Sequence, residues 1–91
     1  MTKNNKNEIG VIGLGYVGLP LSLEFSKHYT TIGFDIDESR INELRNNYDK
    51  TFEVSQKVLI NSKIIFTNSI DKISNCNIYI ITVPTPVDIQ I

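Results

Sequence analysis

The sequence contains little that would suit a secreted, membrane-spanning or nucleic-acid-binding protein. Its single cysteine, Cys76, excludes an internal disulfide framework and fits a reducing cytoplasm. No stretch approaches the roughly 18 apolar residues of a membrane-spanning helix, and no apolar signal segment follows the polar start of the chain. Lysine and arginine do not cluster, and nine basic against ten acidic residues give a net charge of −1. Neither a nucleic-acid partner nor an anionic membrane surface is therefore expected.

The composition is that of a small folded domain. The 91 residues are enough for one such domain. Because 41% of them are hydrophobic, the chain can bury a core rather than remain disordered. Residues 1–8, MTKNNKNE, are polar and are expected to form a disordered tail. The folded part is expected to span residues 9–91.

Short apolar runs alternate with segments of helical periodicity along the chain. The runs are typical of buried parallel strands and lie at residues 8–13, 31–35, 63–67 and 77–83. The helical segments, of which the last two are weaker, lie at residues 16–28, 38–46, 58–60 and 69–75. This order predicts an α/β fold of the Rossmann type, a doubly wound parallel sheet of about four strands with helices on both faces.

Two predicted helices carry further signals. Asp37 is the expected N-cap of the second helix. Val17, Leu21 and Phe25 form the expected inner stripe of the first. Because a Rossmann domain continues with a crossover helix and two more strands after the fourth, residues 9–91 are expected to be an incomplete domain.

The turn between the first predicted strand and the first helix has the spacing G-x-G-x-x-G. Gly13 would permit the tight turn, Gly15 would let the backbone approach a pyrophosphate, and Gly18 would let the helix pack closely on the sheet. Free N–H groups and the positive end of the helix dipole would then hold the phosphates. Glycine-rich turns also occur in sites for FAD, S-adenosylmethionine and kinase nucleotides, so the motif alone does not identify the ligand.

An acidic residue at the end of the second predicted strand narrows the choice. Asp35 lies 20 residues after Gly15, where a carboxylate can bind both ribose hydroxyls of an adenosine. A plain turn acid is the alternative. A 2′-phosphate in contact with this carboxylate would cost roughly 1–4 kcal/mol, which favours NAD over NADP. Arg40, one turn into the second helix, could rescue a 2′-phosphate or lie along the adenosine.

Three segments carry a more specific pattern. They are V-I-G-L-G-Y-V-G-L-P-L at residues 11–21, G-F-D-I at 33–36 and I-I-T-V-P-T-P at 80–86. Together they resemble the UDP-glucose/GDP-mannose dehydrogenase family, and the resemblance runs from about residue 9 to residue 88. The start of the first helix and the D-x-T-x-E-V stretch at 49–54 are most similar to the branch that oxidises UDP-N-acetylhexosamines for bacterial capsule and Vi-type polysaccharides.

The resemblance implies an enzyme that oxidises C6 of a UDP-sugar twice, from alcohol to acid, and reduces two NAD. By the same resemblance, Tyr16 and Val17 would lie in the pyrophosphate loop and Asp35 would bind the adenosine ribose. Arg40 would lie beside the adenosine. Thr85 would contact the cofactor from the loop after the fourth strand, which is where an open α/β sheet binds its ligand. A turn residue between two prolines is the alternative for Thr85.

The family's catalytic cysteine, lysine, asparagine and aspartate are expected beyond Ile91, together with the substrate domain. The 91 residues alone would then be inactive, as part of the NAD-binding domain of a cytoplasmic homodimer. Neither Cys76 nor His28 matches a catalytic position, and no Cys/His grouping has metal-ligand spacing. Residues 48–53 could approach cofactor or substrate, but an ordinary surface loop is the preferred interpretation.

Two other classes of protein share the first half of this pattern. Dehydrogenases of the β-hydroxyacid and 6-phosphogluconate type resemble G-L-G-x-M-G at the loop, where this chain has Tyr16 and Val17. They also lack T-V-P-T-P after the fourth strand. A non-catalytic nucleotide-sensing Rossmann domain, such as the regulatory domain of a potassium channel, also begins V-I-G-L-G and carries an acid on its second strand. The UDP-sugar dehydrogenase is the favoured interpretation, and these two are the alternatives.

Overall fold

The computed structural model describes residues 7–82, which form a parallel sheet covered by helices. The strands are β1 (Glu8–Ile12), β2 (Thr30–Phe34), β3 (Ile65–Thr67) and β4 (Ile78–Ile81). The helices are α1 (Gly18–Ser26), α2 (Glu38–Arg45), α3 (Gln56–Asn61) and α4 (Ile70–Ile73). Strands and helices follow the predicted order, with bounds that differ by a few residues. No helix within residues 7–82 is both long and apolar enough to span a membrane.

The sheet begins inside the expected N-terminal tail. The Glu8 N–H donates to Asn77 Oδ1 at 2.7 Å, and the Asn77 N–H donates to the Glu8 carbonyl at 3.0 Å. These two bonds tie Glu8 to the segment that leads into β4. Glu8 therefore belongs to the sheet, in agreement with the apolar run predicted for the first strand at residues 8–13.

The strand order is β3-β2-β1-β4, and all neighbouring strands are parallel. The chain moves outward from β1 to β2 and β3, and then crosses back to place β4 on the other side of β1. The carboxyl ends of β1 and β4 therefore meet where the strand order reverses. In open α/β sheets this is the position at which ligands bind. The predicted Rossmann-type sheet is confirmed for the described residues.

Apolar clusters cover both faces of the sheet, because alternate residues of a strand point to opposite sides. The larger cluster joins β1 to α1, α2 and α3, and includes Ile9, Val11, Leu19, Ile41, Leu44 and Leu59. The smaller cluster joins β2 to α4, and its buried members are Ile32, Phe34, Ile73 and Cys76. The prediction of helices on both faces is thus correct.

The face of α1 that meets the sheet matches the predicted stripe only in part: Phe25 is partly buried and packs against the larger cluster, but Val17 does not. The buried residues of this helix are Gly18, Leu19, Ser22 and Leu23. Val17, which was expected to point inward, is 55% exposed. A Cβ on Gly18 would lie 1.8 Å from the Gly13 carbonyl oxygen, so the helix lies directly against the backbone at the end of β1 at this glycine. That contact sets the rotation of α1 and leaves Val17 on the outside.

Candidate dinucleotide site

A cleft of about 830 Å³ opens at the carboxyl ends of β1, β2 and β4. Residues 12–18, 34–36 and 81–82 line it. The lining therefore combines the glycine loop with the end of β2, where Asp35 stands. The sheet topology thus brings together two motifs that lie about 20 residues apart in the sequence.

The glycines of the loop differ in what surrounds them. Gly13 has a φ of +99°, and a Cβ on it would lie 1.8 Å from the Thr82 carbonyl oxygen. Gly18 is equally confined by the Gly13 carbonyl. A Cβ on Gly15 would meet no atom within 4 Å. The fold thus requires glycine at 13 and 18, whereas the missing Cβ of Gly15 leaves open space on the side of the cleft, as the close approach of a pyrophosphate demands.

The backbone between β1 and α1 offers unpaired hydrogen-bond donors to the cleft. Among residues 7–82, the N–H groups of Gly15, Tyr16 and Val17 have no acceptor. No side chain caps α1, and its first turn contains no acidic residue. A helix that starts without a cap leaves N–H groups free, and together with the positive end of its dipole they form a site for an anion. Tyr16 and Val17 both stand exposed at the rim, as 67% and 55% of their surface is accessible.

Asp35 follows β2 and faces the glycine loop. Its Oδ2 accepts the Leu14 N–H at 2.9 Å, and its Oδ1 accepts the Asp37 N–H at 3.0 Å. Each carboxylate oxygen can accept a further hydrogen bond, and the residue is only partly buried. Asp35 can therefore hold the glycine loop and still accept hydrogen bonds from ribose hydroxyls.

Arg40 lies beneath the glycine loop and is 4% exposed. Its Nε donates to the Leu14 carbonyl at 2.7 Å, and its Nη1 forms ion pairs with Glu43 at 2.8 Å and Asp49 at 2.9 Å. The buried Nη2 has no hydrogen-bond partner among residues 7–82. Arg40 is not part of the cleft lining. A direct contact between Arg40 and an adenosine stays a prediction.

The loop after α2 is organised around a buried carboxylate. The Asp49 side chain is fully buried and accepts hydrogen bonds from the Thr51 hydroxyl and from the N–H groups of Thr51, Glu53 and Val54. Burial by itself raises the pKa of Asp49. The Thr51, Arg40 and Val54 donors outweigh that effect, so the pKa lies below the ordinary 3.8. The expectation of an ordinary surface loop is therefore wrong at Asp49, although Phe52 is 80% exposed.

Thr82 is a residue of the site that the sequence analysis missed. Its hydroxyl donates to the Gly13 carbonyl at 2.7 Å, and its N–H donates to the Ile12 carbonyl at 2.8 Å. Thr82 thus closes the glycine loop from the end of β4. The hydroxyl residue at a predicted strand end was a usable signal, but only the sheet order places it beside Gly13. Thr85, the threonine selected from the sequence, lies outside the described residues.

Groups suited to metal or thiol chemistry are not assembled in this part of the chain. Residues 7–82 contain no cluster of three His, Cys, Asp or Glu side chains that could hold a metal ion. Cys76 is buried in the cluster against α4. Burial, and secondarily the negative charge of Glu8, raise the pKa of this thiol above its ordinary value of 9.0. Cys76 is therefore a packing residue that stays protonated at neutral pH.

Comparison with known proteins agrees with this geometry. The chain matches the UDP-glucose/GDP-mannose dehydrogenase family, NAD binding domain, over residues 7–90. It is 50% identical to protein CapL of Staphylococcus aureus over 92% of this chain and 20% of that protein. It is 49% identical to a UDP-N-acetyl-D-glucosamine 6-dehydrogenase of Salmonella typhi over 89% of this chain and 19% of that enzyme.

A solved structure shares the fold. The UDP-D-ManNAc dehydrogenase from Pyrococcus horikoshii superposes with a TM-score of 0.78 at 30% identity, over 89% of this chain and 21% of that one. The chain therefore spans about a fifth of the length of each of these relatives. The cofactor predicted from the glycine loop and Asp35, NAD, is the one that the family description states.

Proposed function

Because the chain belongs to the UDP-glucose/GDP-mannose dehydrogenase family, as its NAD-binding domain, we propose that it holds NAD for the oxidation of a UDP-sugar. The proposed substrate class is a UDP-N-acetylhexosamine, since relatives from Salmonella typhi and Pyrococcus horikoshii act on two such sugars by name. The reaction would convert the C6 alcohol to a carboxylic acid in two oxidations. The catalytic groups would come from parts of the protein outside these 91 residues.

The observation that carries the proposal is the uncapped start of α1, which faces Asp35 across the cleft. This cleft lies at the carboxyl ends of the strands, where the strand order reverses. The free N–H groups of Gly15, Tyr16 and Val17 would bind the pyrophosphate, and the open side of Gly15 would allow its close approach. Asp35 would bind the adenosine ribose. NAD, when bound, accepts the hydride from the sugar carbon, whereas the residues of this chain hold and orient it.

The proposal extends to the setting of the whole protein. The uronic acid product would serve the synthesis of a bacterial surface polysaccharide, and the protein would act as a cytoplasmic homodimer. Support comes from the similarity of residues 16–21 and 49–54 to the capsule branch of the family, and from a cysteine content that fits a reducing compartment.

Cofactor binding is tested by calorimetric titration of the chain with NAD and NADP. Because a 2′-phosphate would contact the Asp35 carboxylate, NAD should bind between about fivefold and several hundredfold more tightly than NADP. Asp35→Asn, which keeps the shape of the side chain and removes its charge, should reduce this ratio. Equal affinities of the unaltered chain for NAD and NADP would contradict the ribose assignment.

The role in catalysis is tested with a chimera, in which this chain replaces the matching fifth of the Salmonella typhi dehydrogenase. The chimera should form NADH from UDP-N-acetyl-D-glucosamine, whereas the chain alone should form none. NADH production by the chain alone would show that the catalytic groups lie within it. A folded chimera that binds the UDP-sugar but produces no NADH would favour a non-catalytic nucleotide-sensing domain.

A further inference from the structure

Both backbone polar groups of Leu14, its N–H and its carbonyl, are held by side chains. Asp35 Oδ2 accepts the Leu14 N–H at 2.9 Å, and Arg40 Nε donates to the Leu14 carbonyl at 2.7 Å. The Leu14 side chain is also completely buried. This residue stands directly before Gly15, the glycine with open space above it. The orientation of the loop is therefore fixed one residue before the point at which the cofactor would approach.

The bond from Arg40 also determines the direction of the Gly15 N–H. In a trans peptide unit the carbonyl of one residue and the N–H of the next point in opposite directions, and the described chain has no cis peptide bond. The Leu14 carbonyl points down to the buried guanidinium of Arg40. The Gly15 N–H must then point away from Arg40 and the protein interior, and it has no acceptor among residues 7–82.

Arg40 is in turn fixed by the loop after α2. Its Nη1 contacts Asp49 at 2.9 Å and Glu43 at 2.8 Å. The Asp49 carboxylate is the centre around which residues 49–54 fold, and Glu43 also accepts the Lys50 N–H. A continuous set of polar contacts, buried at Arg40 and partly buried around Asp49, therefore runs from residues 49–54 through Arg40 to the glycine loop.

We propose that Arg40 is a positioning residue for the pyrophosphate-binding loop, that Asp49 fixes Arg40, and that residues 49–54 thereby control NAD affinity without touching the cofactor. This proposal rests on the proposed function, because it assumes that NAD binds over Gly15. It differs from a direct contact of Arg40 with the adenosine. Positioning affects ligands that carry the pyrophosphate, whereas a direct contact would affect adenosine itself.

The experiment compares ligands with and without phosphates. The unaltered chain, Arg40→Lys and Asp49→Asn are titrated with NAD, ADP and adenosine, and the amide signals are followed by NMR. Lysine keeps the charge of Arg40 but cannot reach the Leu14 carbonyl and two carboxylates together. Both variants should bind NAD and ADP about tenfold to a hundredfold more weakly, the effect of losing one hydrogen bond to a charged group. Adenosine affinity should change less than about twofold, and the Gly15 amide signal should move.

Arg45→Gln is the matched control. Arg45 lies on the same helix, and its Nε and Nη2 donate to the Phe66 carbonyl at 3.0 and 2.8 Å. Arg45→Gln therefore also removes hydrogen bonds from an arginine to a backbone carbonyl, as Arg40→Lys does. Among residues 7–82, Arg45 makes no hydrogen bond or ion pair with the glycine loop, and the ratio of NAD to adenosine affinity should stay unchanged. The same fall in this ratio for Arg45→Gln would show a general effect of destabilisation and would overturn the proposal.

Other outcomes are equally decisive. A parallel loss of NAD and adenosine affinity in Arg40→Lys would assign Arg40 to the adenosine, and an unchanged ratio in both variants would refute the positioning role. If the variants do not fold, the unaltered chain still tests the coupling, because linkage is reciprocal. Addition of ADP, but not of adenosine, should then shift the NMR signal of the Arg40 Nε–H. No shift of this signal on addition of ADP would refute the proposal. If neither the unaltered chain nor the chimera with the Salmonella typhi dehydrogenase binds NAD or ADP, the proposed function itself fails.

Discussion

The substitution Gly15→Ala should weaken NAD binding without destabilising the fold. The substitution Gly18→Ala should destabilise the fold itself. A Cβ at Gly15 would meet no atom within 4 Å, and Gly15 lines the cleft. A Cβ at Gly18 would lie 1.8 Å from the Gly13 carbonyl oxygen and 2.4 Å from Thr82 Oγ1. The first methyl group would enter the space proposed for the pyrophosphate. The second would collide with backbone that cannot move without separating α1 from the sheet.

The two substitutions should therefore change stability in opposite directions. Gly15 does not have a positive φ, so alanine there should restrict the unfolded chain and stabilise the fold by about 0.4–1 kcal/mol. For a domain of this size the melting temperature should rise by about 2–8 °C. Overpacking at Gly18 should cost about 1–3 kcal/mol, which lowers the melting temperature by roughly 4–24 °C.

Thermal denaturation followed by circular dichroism measures the stability of both variants, and calorimetric titration measures their NAD affinity. Gly15→Ala should bind NAD at least about fivefold more weakly, since an overpacked contact of this kind costs about 1 kcal/mol or more. Unaltered NAD affinity in Gly15→Ala would show that the pyrophosphate does not pass over this residue. A lower melting temperature for Gly15→Ala than for Gly18→Ala would refute the steric argument itself.

Three further predictions concern single side chains. Because the pKa of Asp49 is below its ordinary 3.8 in the folded chain, the stability that Asp49 contributes should be present above about pH 3.8 and lost as the pH falls through the folded-state pKa. Urea unfolding at a series of pH values measures this loss, and Asp49→Asn should flatten the dependence of the unfolding free energy on pH. Asp37 accepts the N–H groups of Ser39 and Arg40 at the start of α2, so Asp37→Ala should cost about 0.5–2 kcal/mol in thermal denaturation, and an unchanged melting temperature would contradict the capping role. Cys76, buried and with a raised pKa, should react with a thiol reagent far more slowly in the folded than in the urea-unfolded chain; equal labelling rates would show that its burial is wrong.

The element order and the site motif could be predicted because their signals are local. Apolar strand runs, helical periodicity and an N-cap such as Asp37 each depend on a few neighbouring residues. The same holds for G-x-G-x-x-G after a strand and for Asp35 at the end of the next. The inner face of α1 could not be predicted in this way. Its rotation depends on how Gly18 meets the Gly13 carbonyl, a contact between backbones that leaves no periodic trace.

Thr82 escaped prediction for a related reason. Its hydroxyl reaches Gly13 because β4 pairs with β1, in a register that sets Ile81 beside Ile12. Neither the partner of a strand nor the register of a parallel pair can be read from one sequence, because the connecting segments are long. Thr82 and Thr85 stand in the same short motif, and only the pairing of strands singles out the first.

The burial of Arg40 shows what the glycine motif does not specify. The three glycines determine which backbone conformations the glycine loop can adopt. The direction of its N–H groups depends on the side chains that hydrogen-bond to the neighbouring backbone carbonyls and N–H groups. Asp35 after β2, Arg40 in α2 and Thr82 after β4 hold these groups. An arginine near a strand end looks like a ligand for phosphate or adenosine until its counter-charges are known. One of these, Asp49, lies in a loop without periodicity. Two chains with the same glycine fingerprint can therefore differ in NAD affinity through residues such as Asp49, which lie in another loop.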